Sequence, residues 1–167
     1  MIELRKITFL DEEAKDCIAL TAPKEREDYF TSNALILAFA FENNRRNLMP
    51  RECRAIYDST DGKMVGLITY IYYVNSPVFK EVCYRIAPFM VDENYVGLGY
   101  EKAAVALLLD EIRTKPLGEA AAVFAAYNPD EKDMAELFES LGFAKTDLDW
   151  TPIGEDECED IIVRLAI

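Results

Sequence analysis

Residues 94–118 read NYVGLGYEKAAVALLLDEIRTKPLG, and Gly97-Leu98-Gly99 stands directly before an apolar run at helical spacing. The strand-like segment CYRIAPFMV (83–91) comes just before it. A strand leading through Gly-x-Gly into a helix start offers several free backbone N–H groups, where missing Cβ atoms permit close approach. Such a turn suits a pyrophosphate; it also suits any loop that merely needs positive φ. Two well-known phosphate loops are excluded. The chain has no GxxxxGK[ST] run, and Lys102 stands where a dinucleotide fingerprint needs its third glycine. The loop also lies mid-chain, after three expected antiparallel strands, rather than in an opening βαβ unit.

Working outward, IELRKIT (2–8) alternates apolar and charged residues and reads as a half-buried strand. Residues 11–20 read as a helix with acids in its first turn, and residues 25–44 as a second helix, strongly apolar over 34–41. The runs 52–58 and 64–74 form a hairpin around the turn signal at 59–62. Residues 81–91 make a third such strand, in which Pro88 demands a bulge or interruption because it has no N–H to donate. The helix at 98–114 presents Ala103, Ala104, Leu107, Leu108 and Ile112 on one face. A buried strand at 120–127, a helix at 130–141, a short strand from Phe143 and a last strand at 161–167 complete the order β-α-α-β-β-β-α-β-α-β-β. This is a mixed α/β fold in a single domain, 1–167.

Half of the 167 residues are apolar, enough for one sizeable core. Cysteines 17, 53, 83 and 158 form no CxxC, and there is no histidine, which argues against a zinc site or a Cys-His nucleophile. Any general base must be a carboxylate, Tyr, Cys, Lys or water. A net charge of −13 disfavours nucleic acid and anionic membranes and suits cationic small molecules. The N-terminus has no apolar signal region and the run 34–41 is too short to span a bilayer, so the expectation is a cytoplasmic protein.

Two segments, FMVDENYVGLGYEKAAVALLLDEI (89–112) and AAYNPDEKDMAELFESLGF (125–143), resemble the acetyl-CoA region of the GNAT family of N-acetyltransferases, and within it the diamine (spermidine/spermine-type) acetyltransferases. The resemblance is clear over 86–143 and extends to the N-terminal part in element order alone. It implies a mostly antiparallel twisted sheet of six to seven strands flanked by about four helices. It also implies acetyl-CoA as co-substrate. The backbone of Phe89, Met90 and Val91 would pair with the pantetheine arm and polarise the thioester carbonyl. That of Gly97, Leu98, Gly99, Tyr100, Glu101 and Lys102 would hold the pyrophosphate, and the helix from Glu131 to Phe138 would flank the rest.

Several positions depart from the family pattern. Val96 stands where a Gln is usual, Glu101 where Gly or Ala is usual, Glu131 where Asn is common, and Ala87 where some polyamine acetyltransferases carry a glutamate. Phe138 replaces a Tyr that commonly protonates the leaving thiolate. Candidate catalytic groups are then Tyr127 as acid and Glu81 or Tyr84 as base, with Asp92 and Glu93 as further carboxylates. Tyr70, Tyr72 and Tyr73 read as face packing more than as a pocket. The segment 147–160 has seven acids and the single Trp150, and suits a cationic acceptor if it lies over the cleft. The expected function is acetyl transfer to a small primary amine, a polyamine being one candidate. The alternative is a non-catalytic binding module on the same scaffold. The family is often dimeric, which leaves a homodimer open.

Overall fold

The structure, a computed structural model, describes residues 1–8, 12–24, 31–87, 89–149 and 160–167. The order is β1 (Ile2–Lys6), α1 (Glu12–Ala19), α2 (Asn33–Arg46), β2 (Arg51–Asp58), β3 (Lys63–Tyr73), β4 (Cys83–Ile86), β5 (Met90–Val91), α3 (Tyr100–Arg113), β6 (Ala122–Tyr127), α4 (Lys132–Ser140), β7 (Ala144–Lys145) and β8 (Ile161–Ala166). The strands join in one sheet, β1-β2-β3-β4-β6-β8-β7, with β5 beside β3. The β4–β6 pair is parallel and the other pairs are antiparallel. The expected mixed, mostly antiparallel sheet with four helices is present. Among the described residues it has eight strands instead of six to seven because the segment 81–91 is cut into β4 and β5.

Burial on both faces explains the near-continuous apolar character of β2 and β3. On one face Val65, Ile68, Tyr70, Ile86, Val123 and Ala125 meet α3 and α4. On the other, Cys53, Ala55, Tyr57 and Leu67 meet Cys17 of α1 and Ile36, Leu37 and Ala40 of α2. A third cluster on that second face places Phe79 against Phe124, their rings stacked 4.5 Å apart. The α3 core face is Ala104, Val105, Leu108, Leu109 and Ile112. Leu107, expected inside, is 38 % exposed, so the helix is rotated slightly from the sequence reading. Each fully buried Leu or Ile there contributes about 2 kcal/mol relative to exposure.

The second helix starts at Asn33, later than expected, because Ser32 caps it by accepting from the Leu35 N–H. It stops where Asn47 turns left-handed at φ 53°. Residues 25–30, expected to be part of it, lie outside the described residues. A part-buried ionic cluster ties α3 to the sheet. Arg54 donates to Glu52, and through two nitrogens to Glu111, which also accepts from the Tyr70 hydroxyl at 2.8 Å.

Candidate active site

The sheet opens where β4 ends. Cys83, Tyr84 and Arg85 pair in parallel with Ala122, Val123 and Phe124. On the other side Tyr70 faces Ile86 while Leu67 faces Met90, so three steps on β3 correspond to four on the opposing strand. That extra residue is a bulge. Beyond it β5 pairs only with β3, while β6 runs on to Tyr127 beside β8. Met90 and Val91 therefore have a paired strand on the β3 side alone among the described residues, and the sheet is split between β5 and the end of β6. The expected interruption at position 88 meets a register shift between Ile86 and Met90, and Pro88 itself lies outside the described residues.

Gly66 lets the backbone of β5 lie close against β3. A Cβ at Gly66 would lie 2.4 Å from the Met90 carbonyl oxygen and 3.2 Å from the Val91 Cα. Sequence reading passed over this glycine, although an isolated glycine inside a strand run is a signal of close backbone approach.

After β5 the chain makes a short turn and enters the glycine loop. Asp92 is buried and accepts from the N–H groups of Thr21 and Asn94, joining the end of β5 to the segment after α1. Those hydrogen bonds hold its pKa below the ordinary carboxylate value against the opposing effect of burial. Gly97 and Gly99 both have φ of +78°, and a Cβ at either would meet nothing within 4 Å. The glycines are there for backbone shape, and the space above them is open. The N-cap of α3 is Gly99, with no side-chain cap, so the first-turn N–H groups point at that space.

These features fit a pyrophosphate, since uncapped N–H groups and a positive dipole end favour an anion. Leu98 is exposed, Tyr100 and Glu101 are half-buried and Lys102 is exposed along this turn. Glu101 brings a carboxylate close to the seat, and Lys102 brings a cation beside it. The Tyr100 hydroxyl donates to Asp58, fastening the helix start to the end of β2. That bond pulls the Asp58 pKa down to about 2 and pushes Tyr100 up to about 12.

Tyr127 ends β6 on the far side of the split. It is 4 % exposed, and its ring stacks on Phe138 at 6.1 Å. Burial raises its phenol pKa, helped by Glu139. Phe138 is a core residue between Tyr127 and Phe143. Glu131 occupies the N-cap of α4, where its carboxylate accepts from the Asn128 N–H at 3.1 Å.

The other two catalytic expectations are placed elsewhere. Tyr84 is fully buried. Its hydroxyl donates to the Gly118 carbonyl at 2.9 Å and accepts from the Leu117 N–H at 3.1 Å, past the far end of α3. Glu81 precedes β4 and binds Arg164 at 2.8 Å. Both lie toward the end of β4 opposite the bulge, so we do not place them at the reacting centre. Trp150 and most of the acidic stretch after it lie outside the described residues, as does Cys158. Among the described residues no Cys, Asp or Glu group is arranged to hold a metal ion, and no helix is long and apolar enough to cross a membrane.

Comparison with known proteins agrees with this geometry. The model of the acetyltransferase (GNAT) family matches residues 10–143. No curated protein matches the chain by sequence. Among solved structures, the chain is similar to the ribosomal-protein-S18-alanine N-acetyltransferase from Escherichia coli (19 % identity, TM-score 0.65, covering 100 % of this chain and 94 % of that one). It is also similar to the ribosomal-protein-S5-alanine acetyltransferase from Vibrio fischeri (20 %, 0.63, 99 % and 92 %). A Bacillus subtilis acetyltransferase in complex with CoA has the same fold (14 %, 0.61, 100 % and 99 %). The split sheet, the glycine turn at the start of α3 and the family match lead to one conclusion: the chain belongs to the GNAT family of acetyltransferases, enzymes that use acetyl-CoA as acetyl donor.

Proposed function

We propose that this protein transfers the acetyl group of acetyl-CoA to a primary amine by direct attack of the amine. The observation that carries the reading is the split between β5 and β6, followed in the chain by the uncapped start of α3. The residues divide the task as follows. Backbone N–H groups over residues 97–102 seat the pyrophosphate. The bulged backbone of Phe89, Met90 and Val91 aligns the donor arm and offers an N–H to the carbonyl oxygen that gains charge. Acetyl-CoA supplies the activated acetyl group. Tyr127 stands beside the slot as the proton donor to the departing sulfur, in place of the hydroxyl that Phe138 lacks. Its raised pKa keeps it protonated at neutral pH. The amine enters neutral and releases its proton to water.

A net charge of −13 supports a cationic acceptor such as a polyamine through long-range attraction. The test is calorimetric titration of acetyl-CoA, followed by thiol release with an amine panel that includes spermidine. Micromolar binding at one site per chain, with thiol release on adding an amine, is the expected result. Absence of binding up to millimolar donor refutes the reading and favours a binding module on the same scaffold.

A further inference from the structure

Asn33 is a polar residue on an apolar face. It shares the inner side of α2 with Ile36, Leu37 and Ala40 and is 8 % exposed. A buried amide is costly unless its hydrogen bonds are made. Its Nδ2 makes two, to the Cys17 carbonyl at 2.8 Å and to the Met90 sulfur at 3.6 Å. A side-chain amide has two N–H donors, so both are spent. The reversed amide would set its oxygen against the Cys17 carbonyl oxygen, so these partners fix its orientation. Oδ1 is then the unused atom. It accepts from no group among the described residues, and it is not sealed from solvent.

Asn33 and Met90 line a cleft of about 460 Å³ between the end of α1 and the start of α2. Met90 lies opposite Leu67, whose side chain belongs to the α1/α2 face. Its side chain therefore enters the cleft on that face, while its backbone belongs to β5 at the split. The cleft is fastened to β5 a second time. Asp92 accepts from the Thr21 N–H at 2.9 Å, and the Glu93 N–H donates to the Thr21 carbonyl at 2.9 Å.

The two rims of the cleft differ. Ile18 and Ala19 end α1, and their carbonyls accept no hydrogen bond among the described residues. Asn33 and Ala34 begin α2, and their N–H groups donate none among the described residues. With the Asn33 Oδ1, the cleft thus offers neutral acceptors and neutral donors side by side. A peptide group, which both donates and accepts, matches that pairing. Among the described residues no charged side chain lines the cleft. A free ammonium or carboxylate lodged there would lose hydration without an opposite charge in return.

We infer that the acceptor is the amino-terminal end of a peptide, with its amino group at the split and its first peptide N–H donating to the Asn33 Oδ1. An amino group and the next peptide nitrogen are one residue apart, about 3.5 Å in extended chain. Asn33 is a positioning residue for the amine. This rests on the acetyl-transfer reading above. It departs from the polyamine candidate because the net charge acts at long range and is screened beyond about 8 Å at physiological salt, whereas the cleft acts at contact.

The experiment compares amino-acid N-methylamides with the matching methyl esters, which lack only the N–H. Alanine, serine, methionine and lysine are used as such pairs, with spermidine and putrescine alongside. Thiol release is followed at saturating acetyl-CoA, in the unaltered protein and in Asn33→Leu and Asn33→Ser variants whose folding is checked by thermal melting. The expected result is that at least one amide exceeds its ester about tenfold in kcat/KM, chiefly through KM, and exceeds both polyamines. That preference disappears in the Asn33 variants, with acetyl-CoA affinity unchanged. The inference is overturned if every ester matches its amide, if a polyamine is the better substrate, if the preference survives substitution of Asn33, or if acetyl-CoA binds and no amide releases thiol. The comparison in the unaltered protein stands even where a variant does not fold. Failure of the acetyl-transfer reading shows separately, as absence of heat when acetyl-CoA itself is titrated.

Discussion

At the scale of single residues, Gly66 and Tyr127 give the sharpest tests of the proposed site. Gly66 is held by contact, since any Cβ there would press on the backbone of β5. Gly66→Ala should push β5 away, cost about 2 kcal/mol in urea unfolding and weaken acetyl-CoA in calorimetry. Normal affinity in a folded Gly66→Ala variant would show that the bulge does not seat the donor. Tyr127 makes a chemical prediction. Tyr127→Phe should lower kcat by about ten- to a hundredfold with donor Kd unchanged, the usual size of a lost acid. A substitution that shifts Kd and leaves kcat alone would reassign Tyr127 to packing against Phe138. The sequence pointed to Tyr127 because it ends a strand next to Asn128-Pro129. It also pointed to Tyr84, which burial and two backbone hydrogen bonds make a strut.

At the scale of elements, the start of α3 concentrates opposing effects. The dipole favours Glu101 in the first turn, while the same carboxylate opposes a bound pyrophosphate. With partial exposure the repulsion is about 1 kcal/mol. Glu101→Gly should therefore tighten acetyl-CoA about fivefold in calorimetry, and a weaker complex would mean that the helix start loses more order than the site loses repulsion. The Asp58–Tyr100 bond holds that helix start to β2. The folded pKa of Asp58, about 2, lies below its ordinary unfolded value of about 4. Its contribution is therefore complete above about pH 4 and lost as pH falls from about 4 to about 2. NMR of the Tyr100 and Glu101 amides should show a transition in that window, and Asp58→Asn should abolish it. Persistence of the transition in the variant would point to another carboxylate.

At the scale of the whole molecule, the two faces of the sheet are held differently. The α1/α2 face is closed by apolar contact, whereas α3 is also tied down by the Arg54, Glu111 and Tyr70 cluster. Removing one member leaves Arg54, itself 9 % exposed, without its bidentate partner. Glu111→Ala should cost about 3 kcal/mol in urea unfolding, and a loss near zero would mean that water replaces the carboxylate. The cluster brings together residues 54, 70 and 111, which no local pattern relates.

The sequence by itself determined the element order, the bulged strand before the helix and the glycine turn, because periodicity, missing donors and φ preference act over a few neighbouring residues. Its errors are local and physical. The buried face of α3 moved to include Val105 and Leu109, since the sheet beneath, and not the helix alone, selects which side is buried. Only the tertiary structure decided that β4 and β6 pair in parallel and then diverge, which makes the slot. It alone placed Gly66 against Met90 and aligned Arg51 with Arg85 across Ile71. Those relations depend on strand register between distant segments. Register is set by how all the strands bury their faces together, and no single segment encodes it.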